Sequence, residues 1–229
     1  FGATLRSILR QDPVVIMIGE IRDNETARIA VRASITGHLV LSTIHTNNSL
    51  NTIERLLDMD VERYLLGSAL TGIISQRLVK RLCPKCRTSR PTTNYEKILF
   101  EKVLHQKIDN VYSPHGCSEC INGYSGRIAL HEVLEMNQDI RDAITNSLRK
   151  DQLRNLVYNK ADVTSLLKDG LEKVVAGLTS IDEILRVIDV DDDIGDEDQE
   201  IKNAFIGKTT NIETLDRPQN LEEPLIETL

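Results

Sequence analysis

The chain has 229 residues, which is enough for one or two domains with a sizeable hydrophobic core. Its formal net charge of −7 is concentrated in residues 189–229, where thirteen acidic and three basic residues leave the rest of the chain at +3. This mildly basic body does not indicate a nucleic-acid-binding protein, and no apolar stretch reaches the roughly 20 residues that a membrane span requires. The sequence begins at Phe1 without a signal peptide, so we expect a soluble, cytoplasmic, C-terminal piece of a longer protein.

The first elements form a strand-helix-strand pattern behind a short helix. Residues Phe1–Gln11 predict an amphipathic helix, which ends at Asp12 because a residue before proline avoids the helical region. Two short uncharged runs follow, Val14–Ile18 and Leu39–Ile44, and they are typical of strands buried on both faces. The segment between them, Asn24–Ser34, predicts a helix. Such a unit joins two parallel strands by a right-handed crossover.

Polar residues follow both predicted strands, at the edge where open parallel sheets bind their ligands. Glu20 ends the first apolar run, and this Walker B pattern places a carboxylate near the Mg2+ ion and the attacking water of a nucleoside triphosphate. Because Gly19 stands where many such proteins have an aspartate, Glu20 is expected to bind Mg2+ through water or to act on the nucleophile. The alternative is that Glu20 and Asp23 only begin a helix, favoured by its positive end.

Two histidines, His38 and His45, bracket the second strand seven residues apart. Side-chain alternation sends them to opposite faces of a regular strand, so they do not predict a two-histidine metal site. His45, at the strand's end, is a candidate to contact a γ-phosphate. His38 is a second cofactor-binding candidate, although a hydrogen bond to backbone near the preceding helix end is the expected alternative. For either histidine, a purely structural role is the competing interpretation.

Two further helices are predicted after the strands. The segment Ser49–Met59 is amphipathic and begins at an Asn48 or Ser49 cap. The segment Glu62–Arg81 predicts a longer helix with a basic run at its end, which includes Arg77. A favourable interaction with the negative end of the helix is a sufficient explanation for that basic run.

Four cysteines form two CxxC pairs, Cys83 with Cys86 and Cys117 with Cys120, and they are every cysteine in the chain. Two such pairs complete a tetrahedral Zn2+ site with Zn–S distances of about 2.3 Å. Four thiolates leave no open position, so the sequence predicts a structural metal. A disulfide or redox role needs an oxidising compartment or a thioredoxin-like context, and the sequence shows neither. The segment Tyr95–Gln106, between the pairs, predicts a helix.

A zinc ribbon also raises the hypothesis of a nucleic-acid-binding module. Such a module requires basic and aromatic residues around both cysteine pairs. The basic residues on the first side are Lys80, Arg81, Lys85, Arg87 and Arg90. Little beyond Arg127 follows the second pair, so this hypothesis is disfavoured.

The rest of the chain divides into a strand, a group of helices and an acidic tail. The segment Gly126–Met136 predicts a strand in which Arg127 pairs with Glu132, and Ser180 with Glu183 fits a helix capping box. The predicted helices are Asp139–Asn146, Lys150–Tyr158, Val163–Ala176 and Ser180–Ile188. Residues 189–229 are predicted to be disordered.

Within that tail, residues 207–210 match the second half of a phosphate-binding P-loop. No strand precedes this match, and a lysine stands where the first glycine should be, so it is rejected as a nucleotide site. A complete P-loop motif is found nowhere else in the sequence. The main phosphate-binding element of an ATPase is therefore missing from these 229 residues.

Three stretches together resemble the secretion ATPase superfamily. LRSILRQDPVVIMIGEIRDNETARIAVRASITGHLVLSTIHTN looks like the Walker B and His boxes of that superfamily. QRLVKRLCPKC and CSECINGYSGRIALHEVL are similar to its PilB and GspE families, which serve type IV pilus assembly and type II secretion. The tetracysteine element distinguishes this branch from pilus-retraction ATPases. The resemblance covers roughly Phe1 to Ile188.

The resemblance implies an α/β fold made of three parts and a tail. Residues 1–82 would form the C-terminal part of a RecA-like parallel-sheet ATPase core, 83–136 a tetracysteine zinc subdomain, 137–188 a helical subdomain and 189–229 the acidic disordered tail. In this scheme Glu20 is catalytic, and His45, His38 and Arg77 contact the nucleotide. The P-loop would precede Phe1, so the piece alone is expected not to hydrolyse ATP.

The resemblance also implies a working context for the whole protein. It would be a homo-hexameric motor ATPase that uses ATP and Mg2+ and sits against an inner-membrane platform protein on the cytoplasmic side, peripheral to the membrane and without nucleic acid. The competing hypothesis is a truncated or degenerate paralogue that acts as a non-catalytic, zinc-stabilised binding module. The sequence leaves pilus assembly and type II secretion as equal alternatives.

Overall fold

A computed structural model describes residues 2–161 and 163–190 of the chain. Most of the acidic segment therefore lies outside the described residues, and the predictions of disorder and of a false phosphate loop at 207–210 fall there. Among the described helices, none has both the length and the apolar composition needed to cross a bilayer.

The N-terminal part contains the expected strand-helix-strand unit. Its elements are α1 (Gly2–Leu9), β1 (Val15–Ile18), α2 (Asn24–Ile35) and β2 (Leu39–Ser42). The two strands pair in parallel, with Val15 opposite Leu39. Asp23 caps α2, since its carboxylate accepts a hydrogen bond of 2.8 Å from the Thr26 amide. The prediction of a parallel pair joined by a crossover helix is thus confirmed.

The expectation that these strands are buried on both faces is wrong for the described residues. Ile16 and Ile18 lie in the core, whereas Val15 and Met17 are 52% and 81% exposed. Successive side chains of a strand point to opposite faces, and α2 packs with Ile16 and Ile18 in one hydrophobic cluster. The described part of the chain therefore covers one face of this two-stranded sheet and leaves the other open.

The predicted long helix over Glu62–Arg81 is wrong in its second half. The structure has α3 (Ser49–Asp58), a short α4 (Arg63–Ala69) and then a strand, β3 (Gly72–Leu82). The backbone is already extended at Leu70, and burial alternates along β3 with Ile73 and Val79 inside. The strand pairs in antiparallel register with β6 (Tyr124–Glu135), far along the chain, and this pairing decides its conformation.

The remaining helices follow the predictions with shifted ends, and two short strands between the cysteine pairs were not predicted. They are β4 (Thr88–Pro91), α5 (Asn94–Leu104), β5 (Asn110–Ser113), α6 (Gln138–Thr145), α7 (Lys150–Arg154), α8 (Leu166–Val175) and α9 (Ile181–Val187). Strands β4 and β5 pair in antiparallel fashion inside the loop between the cysteine pairs. Helix α7 continues as a π-helix over Asn155–Lys160, and α8 begins three residues later than expected.

Two hydrophobic cores hold these elements together. The first joins the N-terminal unit, α3 and α4 to α6 and the π-helix, with Leu50, Leu66 and Ile140 fully buried. The second joins α5 and β5 to α8 and α9 around Phe100. Both cores take residues from β3 and β6. The predicted domain boundaries at residues 82, 136 and 188 stay a prediction. Each core contains residues from both sides of the first two boundaries.

Two expected side-chain pairs differ in the structure. Ser180 caps α9 by accepting a hydrogen bond of 3.3 Å from the Glu183 amide, which is half of a capping box. The Glu183 carboxylate instead accepts a hydrogen bond of 3.0 Å from the Lys80 amide and pairs with Arg186 at 2.8 Å. The carboxylate is thus drawn away from its own helix end and ties α9 to β3.

Glu132 does not pair with Arg127 as expected, because its side chain points into the protein and is 1% exposed. One carboxylate oxygen accepts a hydrogen bond of 2.8 Å from the Ser49 amide. The other accepts hydrogen bonds from the Tyr158 hydroxyl at 3.0 Å and the Leu166 amide at 3.3 Å. Ser49 and Leu166 are the first residues of α3 and α8, so the negative charge faces two positive helix ends.

We expect Glu132→Ala to lower the free energy of unfolding by about 2–4 kcal/mol, because it leaves three donors without their buried acceptor. Glu132→Gln keeps a carbonyl oxygen and should lose less. Denaturant titration followed by circular dichroism measures both losses. Glu135→Ala is the matched control on the exposed face of the same strand and should change stability by about 0.5 kcal/mol or less. Similar losses in Glu132→Ala and Glu135→Ala would contradict this account.

Candidate functional site

Glu20 and His45 meet at the carboxyl ends of the parallel strands β1 and β2. Glu20 Oε1 lies 2.8 Å from His45 Nε2, and Glu20 Oε2 lies 2.6 Å from the Arg22 guanidinium. The Glu20 side chain is 21% exposed and that of His45 is 85% exposed. The Ile21 amide donates a hydrogen bond of 3.0 Å to the Thr43 carbonyl and joins the two strand ends. Parallel pairing thus brings together two of the predicted site residues.

Arg77 lies on β3, not at a helix end, and holds the loop that follows β2. Its guanidinium donates to the Thr46 carbonyl at 2.7 Å and to the Asn47 carbonyl at 3.2 Å. Asn48 then caps α3 by accepting a hydrogen bond of 2.9 Å from the Asn51 amide. The loop that begins with His45 is therefore fixed at its far end by β3 and by a helix cap.

His38 lies at the opposite end of β2 from Glu20, on the turn that leaves α2. Its Nδ1 is 3.0 Å from the Ala33 carbonyl oxygen and 3.3 Å from Thr36 Oγ1. The expected hydrogen bond to backbone near the helix end is therefore present. Because β2 separates the two histidines, the structure does not bring His38 to the Glu20 and His45 pair.

The chemistry available at this edge is that of a carboxylate joined to an imidazole. Such a pair can hold or move a proton next to a reacting water. Glu20 supplies an oxygen ligand of the kind that Mg2+ prefers, and the Arg22 side chain that shares this carboxylate is exposed. These residues fit indirect binding of Mg2+ at a nucleotide, while the sequence holds no complete P-loop to bind the phosphates.

The four cysteines converge on one point, as their spacing predicts. Their sulfur atoms all lie within 4.8 Å of one another, with Cys83 and Cys117 at 3.9 Å, Cys86 and Cys120 at 3.7 Å, and Cys117 and Cys120 at 3.6 Å. Tetrahedral thiolate coordination with metal–sulfur bonds of about 2.3 Å requires sulfur separations of about 3.8 Å. The Gly116 amide donates to Cys86 Sγ at 3.3 Å, as amides do toward thiolates. This cluster can hold a metal ion.

In the absence of a cation, the close contact of the sulfur atoms shifts the pKa values of two of the cysteines in opposite directions. Burial opposes ionisation of Cys120, but hydrogen bonds from the Cys117 amide and thiol outweigh it and lower the pKa of Cys120 to about 7. For Cys117, the Glu119 amide favours the thiolate, yet the hydrogen bond to Cys120 and burial prevail and raise the pKa to about 12. A bound cation offsets the repulsion among four thiolates, so the donor set fits a divalent metal.

Four of the five basic residues near the first cysteine pair contact other parts of the chain; they are Lys80, Lys85, Arg87 and Arg90. Lys85 pairs with Glu119, and the Arg87 guanidinium lies 4.6 Å from the centre of the Tyr112 ring while donating to the Gly177 carbonyl. The nucleic-acid hypothesis requires these side chains to face solvent as an open basic surface. Their engagement within the protein speaks against it.

Arg90 belongs to the same group and forms a two-pronged ion pair with the buried Glu96. Both carboxylate oxygens of Glu96 lie 2.7 Å from Arg90 nitrogens, and the Thr93 amide donates a third hydrogen bond of 2.8 Å. Burial alone would raise the pKa of Glu96, but Arg90 and the Thr93 amide outweigh it and hold the pKa below the ordinary value of 4.5. The pair fastens β4 to the start of α5.

Sequence reasoning missed two of the contacts that shape these sites. Arg22 follows Glu20 closely in the chain, and this spacing was the available signal for their ion pair. Glu132 carried no usable signal, because its partners Ser49 and Leu166 come from distant segments.

We expect the Arg90–Glu96 pair to contribute to stability at neutral pH and to lose that contribution in acid. A carboxyl group whose folded pKa is depressed stabilises the protein above its unfolded pKa, and the contribution disappears as the pH falls through the folded pKa. Glu96→Gln should therefore cost about 1–3 kcal/mol at pH 7 and progressively less below about pH 4. Thermal melts between pH 7 and pH 3 measure this.

The control for this experiment is Glu101→Gln, which alters an exposed carboxylate of the same helix. It should leave stability nearly unchanged at both pH values. A Glu96→Gln loss that does not shrink in acid would contradict an origin in the ionised pair.

Comparison with known proteins places the chain in a family. The family model described as "Type II/IV secretion system protein" matches residues 1–186. The putative type II secretion system protein E of Escherichia coli (strain K12) is 49% identical over 189 residues, which cover 82% of this chain and 38% of that protein. The type II secretion system ATPase E of Vibrio cholerae is 42% identical over 188 residues, covering 82% of this chain and 37% of its own length. The chain thus spans less than two fifths of these relatives.

Solved structures agree with the predicted fold class. The pilus retraction motor PilT with bound ADP superposes with a TM-score of 0.57 at 27% identity, over 81% of this chain and 43% of that one. The Legionella pneumophila ATPase DotB, at 22% identity and a TM-score of 0.54 over 80% of this chain and 40% of that one, shares the fold. The α/β assignment and the resemblance to secretion ATPases are therefore confirmed, and the chain belongs to the type II/IV secretion system protein family, the secretion ATPases.

Proposed function

We propose that this chain supplies the catalytic carboxylate of a secretion motor ATPase. The observation that carries the proposal is the 2.8 Å contact between Glu20 and His45 at the carboxyl ends of two parallel strands, in a chain that belongs to a secretion ATPase family. Ligands of open parallel sheets bind at that edge. Glu20 follows an apolar strand as a Walker B acid does.

Glu20 would orient the attacking water and accept its proton, and His45 would contact the γ-phosphate side of the site. When bound, Mg2+ and ATP supply the phosphoryl group and neutralise its charge. His45 is exposed enough to turn from Glu20 toward a ligand, and the Arg22 side chain is 77% exposed and free to follow. Arg77 would position His45 by holding the loop that begins at this residue. His38 lies far from this pair and is the weakest of the predicted contacts.

The cysteine cluster would hold a structural Zn2+ ion. Four sulfur ligands at tetrahedral separations suit zinc, and a filled coordination sphere leaves no position for catalysis. The Cys83 amide donates a hydrogen bond of 2.9 Å to the Gly123 carbonyl, next to the start of β6. A metal here would therefore fasten the end at which β3 stops and β6 starts.

For the whole protein we propose a cytoplasmic homo-hexamer that acts beside an inner-membrane platform protein. The curated relatives support a role in type II secretion, because several are named as its protein E. Pilus assembly is the second candidate, because PilT, which shares the fold, also acts on pili, although as the motor of their retraction. The portion of the relatives that lies outside the match would carry the discriminating partner contacts.

We expect Glu20→Gln to abolish turnover while preserving nucleotide binding, in the longer protein that includes the P-loop. Loss of a general base lowers the rate by about 10²–10⁴-fold, and the amide keeps the size and much of the polarity of the carboxylate. ATPase assays and binding of a fluorescent nucleotide measure the two properties. The 229-residue chain alone should show no turnover.

The matched control is Glu25→Gln, which removes a nearby exposed carboxylate that pairs with Arg6. It should retain wild-type turnover. Unchanged hydrolysis in Glu20→Gln would remove Glu20 from the catalytic role, and turnover by the 229-residue chain that depends on Glu20 would show that these residues suffice.

We expect one Zn2+ per chain and four thiols that resist modification until a chelator is added. Thiolate ligands are shielded from electrophiles while they coordinate the metal. Metal analysis and a thiol-reagent count measure this. Cys117→Ser should lose the metal and lower the melting temperature, whereas Ser118→Ala, inside the same CxxC pair, should keep both. Four freely reactive thiols in untreated protein would argue against a metal site.

A further inference from the structure

Strand β6 is paired with β3 along one edge and is open along the other within the described residues. The Met136 amide donates a hydrogen bond of 3.1 Å to the Thr71 carbonyl, which identifies the residues that face β3. Residues of an antiparallel strand direct their backbone groups alternately to the two sides. Val133 and Glu135, which lie opposite Ile74 and Gly72, therefore turn their N–H and C=O groups to the open side.

Helix α8 protects the open edge at His131. The His131 amide lies on the same side and donates a hydrogen bond of 2.9 Å to the Asp169 carboxylate of α8. Farther along β6, the backbone N–H and C=O groups of Val133 and Glu135 have no such partner in the part of the chain that the structure describes. An unpaired row of this kind is the surface to which an extended peptide adds as a further strand.

A groove of about 620 Å³ runs beside this edge, between β6 and the beginning of α8. Val133 is 59% exposed and lines it together with Val163. Glu135 and Glu172 add two exposed carboxylates at the rim. The groove therefore combines apolar surface, free backbone groups and unbalanced negative charge.

We propose that the open edge of β6 binds an extended, basic segment of a partner protein as an added β-strand. Main-chain hydrogen bonds to Val133 and Glu135 provide the attachment. Lysine or arginine side chains of the partner, on the face that Val133 and Glu135 share, pair with Glu135 and Glu172 and cover Val133 with their aliphatic stems. The alternate apolar side chains pack on Val163. Asp169 is already paired with Lys173. Glu135 and Glu172 are therefore the acidic residues that would select a basic partner. This surface is separate from the edge of β1 and β2 that carries Glu20 and His45, and it does not depend on the proposed ATPase activity.

The test uses the 229-residue chain and a blocked peptide of alternating lysine and valine residues, with a glutamate and valine peptide as the counterpart. Amide hydrogen exchange followed by NMR should show that the basic peptide slows exchange at Val133 and Glu135. The Leu134 amide, which faces β3, should remain unchanged. This alternation is specific to strand addition, since non-specific coating of the surface slows neighbouring amides alike.

Variants then separate the edge from general charge attraction. Replacing both carboxylates, Glu135→Lys with Glu172→Lys, should weaken binding of the basic peptide by about tenfold. Val133→Pro should abolish binding, because it removes an edge N–H while leaving the hydrogen bonds to β3 in place. Asp58→Lys reverses an exposed charge on α3 and is the control that should bind normally.

Three results would overturn the proposal. These are equal affinity for the acidic peptide, protection that is not alternate along β6, and absence of binding at peptide concentrations in the millimolar range. Protection of Val133 and Glu135 that rises with protein concentration alone would mean that the edge pairs with a second copy of the chain, which also contradicts binding of a basic partner segment.

Discussion

A single buried carboxylate, that of Glu132, fixes the arrangement of the elements around β6. An ionised group in a protein interior destabilises the fold unless its lone pairs are occupied. Here three donors from three separate segments occupy them: the Ser49 amide, the Tyr158 hydroxyl and the Leu166 amide. Because two of these amides begin helices, the charge also faces the positive ends of α3 and α8. The position of each helix along β6 is therefore set by hydrogen bonds with definite geometry, whereas apolar packing alone would tolerate some sliding.

This fixed helix end bears on the candidate active site. Helix α3 begins immediately after the loop of residues 45–47, and Arg77 of β3 holds the same loop by its carbonyl groups. His45, at the start of the loop, reaches Glu20 at the end of the neighbouring parallel strand. The cysteine cluster lies where β3 ends and β6 begins, so the same two strands connect the candidate metal and the candidate catalytic carboxylate. Arg77 and this loop are the contacts that link the two paired strands to His45.

The parts of the structure that the sequence predicts are those decided by short stretches of chain. Val14–Ile18, the helix that follows and the second strand have adequate local signals, and the CxxC pairs bring their own geometry. The helix prediction for Gly72–Leu82 was wrong because the leucine, lysine and arginine residues of this segment suit a helix. Its strand conformation comes from pairing with β6, which is distant in the sequence. The predicted ion pair between Glu132 and Arg127 was wrong for a related reason. Its neighbours in the sequence suggested a surface ion pair, and only the assembled fold shows that its side chain points inward.

The alternation of side chains along β3 and β6 also explains how one pair of strands can serve several separate roles. Among the inward side chains of β6, Leu134 lies in the first core and Leu130 in the second. Glu132, between them, accepts hydrogen bonds from the first amides of α3 and α8. Outward residues turn their backbone groups away from β3, so the groups of His131 meet α8 while those of Val133 and Glu135 face the groove. A partner strand added at that edge would touch neither the core nor the hydrogen bonds of Glu132. Binding there therefore leaves the packing of β6 in place. Two routes connect β6 with the loop that begins at His45: the contact of Glu132 with the first amide of α3, and the pairing with β3, which carries Arg77.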